Sequence, residues 1–84
     1  MQDQSEAGAL RLYLLRMRDR ADLERAFSAV SETSEISSFT LELQLNRLRF
    51  IAPAERGARL LEKIYLQGGM VWCSTHELSR AEVA

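Results

Sequence analysis

The sequence predicts an α+β fold in which strands and helices follow one another as strand, helix, strand, strand, helix, strand. Three observations predict it. Residues 9–17 and 39–52 carry apolar side chains at period 2, and 70–75 is a short apolar run of strand length. The segments between them repeat apolar residues at i, i+3, i+4 and i+7. Pro53 and the pair Gly68 and Gly69 punctuate the second of those helical segments at its two ends.

The first strand is 9–17. Leu10, Leu12 and Leu14 lie on one face, and Tyr13, Leu15 and Met17 lie on the other with Arg11. A strand apolar on both faces belongs in the middle of a sheet or in a sheet covered on both sides. Asp19 then reads as a helix N-cap, with Asp22 placed to favour the first turn. Leu23, Ala26, Phe27 and Val30 form the buried stripe of that helix, which ends in the polar turn 31–34.

The clearest strand signal is 39–52. Phe39, Leu41, Leu43 and Leu45 alternate with polar residues, then the phase flips and Leu48 and Phe50 alternate with Arg47 and Arg49. A two-residue turn at Asn46 and Arg47 explains the flip. It pairs Leu45 with Leu48 and Leu43 with Phe50, and a looser turn or nearby bulge is the alternative.

Pro53 opens the second helix, whose stripe reads Ala54, Gly57, Ala58, Leu61, Ile64 and Tyr65. Gly57 and Ala58 let helix and sheet approach closely. The last strand, 70–75, alternates ambiguously: Val71 and Cys73 point one way, Met70 and Trp72 the other. Right-handed crossovers place both helices on one face of a four-stranded antiparallel sheet of order 4-1-3-2. This is the ferredoxin-like βαββαβ arrangement. The doubly apolar first strand fits its central place.

The 84 residues suffice for one domain, expected over 9–76, between a disordered tail at 1–8 and a polar tail at 77–84. With 46% hydrophobic and 27% charged residues the chain is globular in character. Eleven basic and 12 acidic residues leave a net charge of -1, so no global field draws it to nucleic acid or an anionic membrane. One cysteine, Cys73, points to a reducing, cytoplasmic setting. The N-terminus lacks the basic and apolar regions of a signal peptide, and no apolar run reaches the ~20 residues of a membrane span.

No chemistry-bearing motif is complete. Cys73 and His76 stand in C-x-x-H spacing, but a zinc site needs about four ligands and the chain has one Cys and one His. Positions i and i+3 of a strand also point to opposite faces. Cys73 reads as a small core hydrophobe and His76 as a loop residue. Heavy-metal chaperones of this topology carry C-x-x-C in the first loop; here that loop is Arg18, Asp19 and Arg20. A thiolate nucleophile needs an exposed, electropositive setting, which a mid-strand Cys73 does not promise. No inward-facing pair of carboxylates suits acid–base work. The reading is therefore non-enzymatic, without cofactor or metal. Arg16, Arg18, Arg20 and Arg25 crowd the first strand–helix junction, where Asp19, Asp22 and Glu24 balance them.

What remains is the sheet face away from the helices. The residues expected there are Arg11, Tyr13 and Leu15 from the first strand, Arg49 and Ile51 from the third, and Trp72 from the fourth. Such an apolar patch, rimmed by arginines and centred on aromatics, has the composition of an interface. The topology resembles that of small regulatory modules of the ACT type, which pair their sheets and bind small effectors between protomers; no glycine-bearing effector loop is evident between Met17 and Ala21. The expectation is a regulatory or adaptor domain that forms a homodimer or meets a protein partner, with room for a small-molecule effector at the interface. The alternative is single-stranded nucleic acid on a stacking platform of Tyr13, Arg49 and Trp72, although 46–52 (NRLRFIA) lacks the aromatic run of RNA-recognition strands.

Overall fold

The computed structural model describes residues 9–36 and 38–78. Its elements are β1 (Leu10–Met17), α1 (Arg20–Ser31), β2 (Ser38–Glu42), a single 3-10 turn (Leu43–Leu45), β3 (Arg47–Pro53), α2 (Ala54–Gln67) and β4 (Met70–Glu77). The strands form one antiparallel sheet in the order β2-β3-β1-β4, which is the expected 4-1-3-2 read from the other edge. Both helices cover one face.

Local chemistry sets the element ends. Asp19 caps α1, its carboxylate accepting from the Asp22 N–H at 3.0 Å. At the far end of α2, Gly68 and Gly69 have φ of 94° and 91°, a region that side-chain-bearing residues avoid. The β2–β3 hairpin turns through Asn46 in the left-handed conformation (φ 52°).

The hairpin register differs from the sequence reading. Leu41 pairs with Leu48 and Phe39 with Phe50, so the looser turn is the correct one. Leu43 and Leu45 leave the strand for the 3-10 turn and stand 46% and 50% exposed. A tight turn at Asn46 and Arg47 would have given those two leucines the places opposite Leu48 and Phe50 that Leu41 and Phe39 hold. The loop instead ends β2 at Glu42, which meets Arg47 in an ion pair across the hairpin.

The core takes Leu23, Ala26, Ala29 and Val30 from α1, and Leu60 and Ile64 from α2. From the sheet it takes Tyr13, Leu15 and Met17 of β1 and Leu48, Phe50 and Ala52 of β3. Two expectations for the helices shift. Phe27 lies at the margin, edge-on to Phe39 with ring centroids 5.5 Å apart. The stripe of α2 is rotated toward Leu60, leaving Ala58 and Tyr65 exposed while Leu61 packs at the core's edge. Gly57 explains the rotation: it sits directly on the Tyr13 ring, and a Cβ there would lie 2.3 Å from that ring. Only glycine lets α2 approach so closely, and that approach brings Leu60 and Ile64 inward.

Tyr13 and Leu15 were expected on the open face, and the structure places them in the core, 2% and 0% exposed. Both faces of β1 are apolar, so the strand alone does not say which faces the helices. Its pairing with β3 decides. Tyr13 lies opposite Phe50 and Leu15 opposite Leu48, and the Tyr13 and Phe50 rings stack at 4.9 Å. Tyr13 also donates its hydroxyl to the Ala54 carbonyl at 3.1 Å. Burial raises its pKa above the ordinary tyrosine value, a shift that nearby Arg11 partly opposes.

β4 reads ambiguously in sequence because it carries a bulge. Trp72 pairs with Arg16, but Met70 pairs with Met17, so one extra residue, Val71, is absorbed between them. Met70 therefore packs against the core while Trp72, two residues on, faces the other side. The strand also runs on to Glu77, past the expected end at Thr75. Cys73, expected as a core hydrophobe, is exposed. It lies opposite Leu15 on the helix side of the sheet, at an edge neither helix covers.

Candidate functional site

The open face can be read row by row from the strand registers, from β2 across to β4. One row is Glu42, Arg47, Arg16 and Trp72; the next is Thr40, Arg49, Leu14 and Ser74; the third is Ser38, Ile51, Leu12 and His76. Leu10 continues the line of Leu12 and Leu14 beside Pro53. The centre of the face is thus an apolar ridge of Leu10, Leu12 and Leu14 along β1, widened by Ile51 of β3. All four are half-buried by neighbouring strands, with no helix above them. Trp72, 46% exposed, stands at the arginine-bearing end.

Charge is concentrated at that end. Arg47 donates to the Glu42 carboxylate. This hydrogen bond holds the Glu42 carboxyl below its ordinary pKa, with the charges of Arg47 and Arg49 acting the same way. Arg16 and Arg49 form no ion pair among the described residues. They are diagonal neighbours on adjacent strands, since Arg16 faces Arg47 and Leu14 faces Arg49. The face therefore offers a greasy strip with two uncompensated guanidinium groups at one end.

Of the six residues expected here, Arg49, Ile51 and Trp72 are on this face. Arg11 is on the helix side, donating to the Thr75 hydroxyl at 3.0 Å. Tyr13 and Leu15 lie beneath the helices. Leu12, Leu14, Arg16 and Arg47 were missed. The signal that finds them is cross-strand parity: once β3 is known to point Arg47, Arg49 and Ile51 outward, their antiparallel partners on β1 must point outward too.

The other candidate clusters resolve without a site. Cys73 and His76 pair with Leu15 and Leu12 and so point to opposite faces of the sheet. Among the described residues no group of three or more His, Cys, Asp or Glu side chains is placed to hold a metal ion. At the β1–α1 junction Arg18 and Arg25 are engaged internally. Asp22, 3% exposed, accepts from Arg18 at 2.9 Å and from Arg25. Its side chain rests against Gly69, whose carbonyl accepts the Arg18 backbone N–H at 2.7 Å. The cluster locks the start of α1 to the end of α2. No described helix is long and apolar enough to cross a membrane.

No protein-family model and no curated protein matches the chain. Its fold is similar to that of two solved crystal structures. PH0061 is 14% identical with a TM-score of 0.58, over 95% of this chain and 58% of that one. An AsnC family transcriptional regulator from Agrobacterium tumefaciens is likewise 14% identical with a TM-score of 0.58, over 95% of this chain and 56% of that one. The chain thus spans little more than half the length of either. At this identity the likeness is one of fold.

Proposed function

We propose that this chain is a non-catalytic regulatory domain that works by pairing the open face of its sheet with that of a second copy. The observation that supports this best is the ridge of Leu10, Leu12, Leu14 and Ile51, an apolar strip on the two central strands that the chain's own helices leave uncovered. Apolar patches of this kind on a small domain mark association surfaces. A two-fold axis through the ridge lays leucine on leucine and carries the arginine-bearing end of each copy outward to the rim, where water still reaches it. The similarity to the fold of a transcriptional regulator adds to the regulatory reading. A small effector held between protomers belongs to the same reading, as does a reducing, cytoplasmic setting for the single cysteine.

Single-stranded nucleic acid on the same face is less well supported. Arg16, Arg49 and Trp72 suit a phosphate and one base, but Tyr13 and Phe50 turn their rings into the core. A stacking platform needs aromatics on the central strands.

The test is solution mass by light scattering over a hundredfold concentration range, for wild type and for Leu14→Glu. A dimer that Leu14→Glu dissociates, with unchanged circular dichroism, supports the reading. A wild-type monomer throughout, or a dimer indifferent to both Leu14→Glu and Leu12→Glu, refutes it. Oligonucleotide binding that falls with salt and vanishes in Arg49→Gln would favour the alternative.

A further inference from the structure

The sheet has two edges, and they are managed differently. β2 is five residues long and ends in the Glu42–Arg47 ion pair. β4 is eight residues long, and from Met70 to His76 it carries no Asp, Glu, Lys, Arg or Pro. Charge, proline, a bulge and brevity are the usual means of keeping a sheet edge from pairing; in β4 they are confined to its two ends, the bulge at Val71 and the charge of Glu77, and Trp72 to His76 carries none. Val71, Trp72, Cys73, Thr75 and His76 are all exposed.

Which backbone groups are free follows from the ladder. The Leu78 N–H donates to the Leu10 carbonyl. Antiparallel alternation then turns the backbone groups of Trp72, Ser74 and His76 toward β1, and those of Cys73, Thr75 and Glu77 outward. We infer that β4 pairs antiparallel with β4 of a second copy about a two-fold axis at Ser74, joining two sheets into one of eight strands. This is a second interface, separate from the open face, and its occupant is set by self-complementarity. About that axis Cys73 exchanges both backbone hydrogen bonds with Thr75 of the partner subunit, and the reverse. The axis stays clear of the bulge at Val71. The small Ser74 side chains meet at the centre, Trp72 comes beside the partner's His76, and no like charges are opposed. Both open faces stay on the same side of the joined sheet.

The register makes the inference testable by cross-linking. In a non-hydrogen-bonded antiparallel pair the Cα atoms are ~4.5 Å apart, within the span of a disulfide. In a Leu12→Glu background, which disables the open face, Cys73→Ser/Ser74→Cys should form an intermolecular disulfide under mild oxidation at least tenfold faster than the same background bearing Cys73 alone. Thr75→Pro removes an outward N–H and leaves the β1 ladder donors in place; it should abolish that cross-link. Equal slow cross-linking at positions 73 and 74, at a rate that scales with collision, overturns the inference. Faster cross-linking at Cys73 overturns the Ser74 axis. Should Thr75→Pro fail to fold, the comparison of positions 73 and 74 still decides. Because Leu12→Glu removes the open-face dimer in every arm, failure here leaves the proposed function standing. Conversely, a cross-link that survives Leu12→Glu does not depend on that function.

Discussion

Replacing Gly57 with Ala tests which face of β1 is buried. The new Cβ would lie 2.3, 2.4 and 2.5 Å from Cε1, Cζ and Oη of Tyr13, against an ordinary contact of roughly 3.5–4.0 Å. Either α2 lifts or the ring moves by about 1 Å. The ring is held from both sides: its far face stacks on Phe50 at 4.9 Å, and its hydroxyl donates to Ala54 at 3.1 Å. Disturbing the stack costs about 0.5–1.5 kcal/mol, and the hydroxyl's bond is worth about 1 kcal/mol. Overpacking a tight site costs about 1–3 kcal/mol in all, a range that overlaps these contributions. Alanine's helix preference returns roughly 1 kcal/mol. The net expectation is a loss of about 0–2 kcal/mol, read by urea denaturation. By thermal melting it is a fall of roughly 4–8 °C per kcal/mol. In a Tyr13→Leu background the obstacle is gone, and Gly57→Ala should be neutral or stabilising by up to ~1 kcal/mol. A Gly57→Ala protein more stable than wild type would mean that Tyr13 does not lie under α2, and the assignment of both faces would fall with it.

Two further outcomes follow from the same packing. Gly69→Ala should destabilise more than Gly68→Ala in chemical denaturation, since both have positive φ but only at Gly69 would a Cβ strike another group, the buried Asp22 carboxylate at 2.3 Å. Holding a side-chain-bearing residue at such a positive φ costs about 1–3 kcal/mol by itself, so Gly68→Ala should fall in that range and Gly69→Ala should exceed the Gly68→Ala value. Stability should also decline in alkali through Tyr13. Its folded pKa lies above the unfolded value, so its contribution is complete below about pH 10 and is lost as pH rises through the folded pKa. Tyr13→Phe should flatten that decline, and a wild-type and Tyr13→Phe pair with identical alkaline profiles would refute the burial.

Much of this fold is legible in the sequence because local rules happen to agree. Asp19 has the side chain of an N-cap and the apolar period that follows it. Gly68 and Gly69 stop α2 at φ values that side-chain-bearing residues adopt only with strain. The element order then leaves one strand order consistent with right-handed crossovers, and the double apolarity of β1 puts it in the centre. The face of β1 is not legible for the same reason that its position is. Leu10, Leu12 and Leu14 are as good a core as Tyr13, Leu15 and Met17, and only contacts far along the chain break the tie. Those contacts are Phe50 across the strand and Gly57 on the helix above. The hairpin misleads differently: Leu43 and Leu45 keep perfect alternation, yet Asn46 closes a wider loop. Of the residues expected on the open face, Arg49 and Ile51 lie there because the alternation of β3 ties both to one side, and Trp72 because the bulge sets it on the side opposite Met70. Tyr13 and Leu15 were misplaced because β1 offers no such tie.

The bulge in β4 also bears on how the length of this protein can vary. Val71 is a spare residue. With it present, Met70 and Trp72 face opposite sides although two positions apart; without it they would be adjacent, and ordinary alternation would give the same result. A deletion at Val71 is therefore silent for every other side chain of the strand. A deletion at Ser74, by contrast, would turn over all that lies on one side of it. Evolution can thus lengthen or shorten this chain by one residue just after the glycine pair without redrawing either surface.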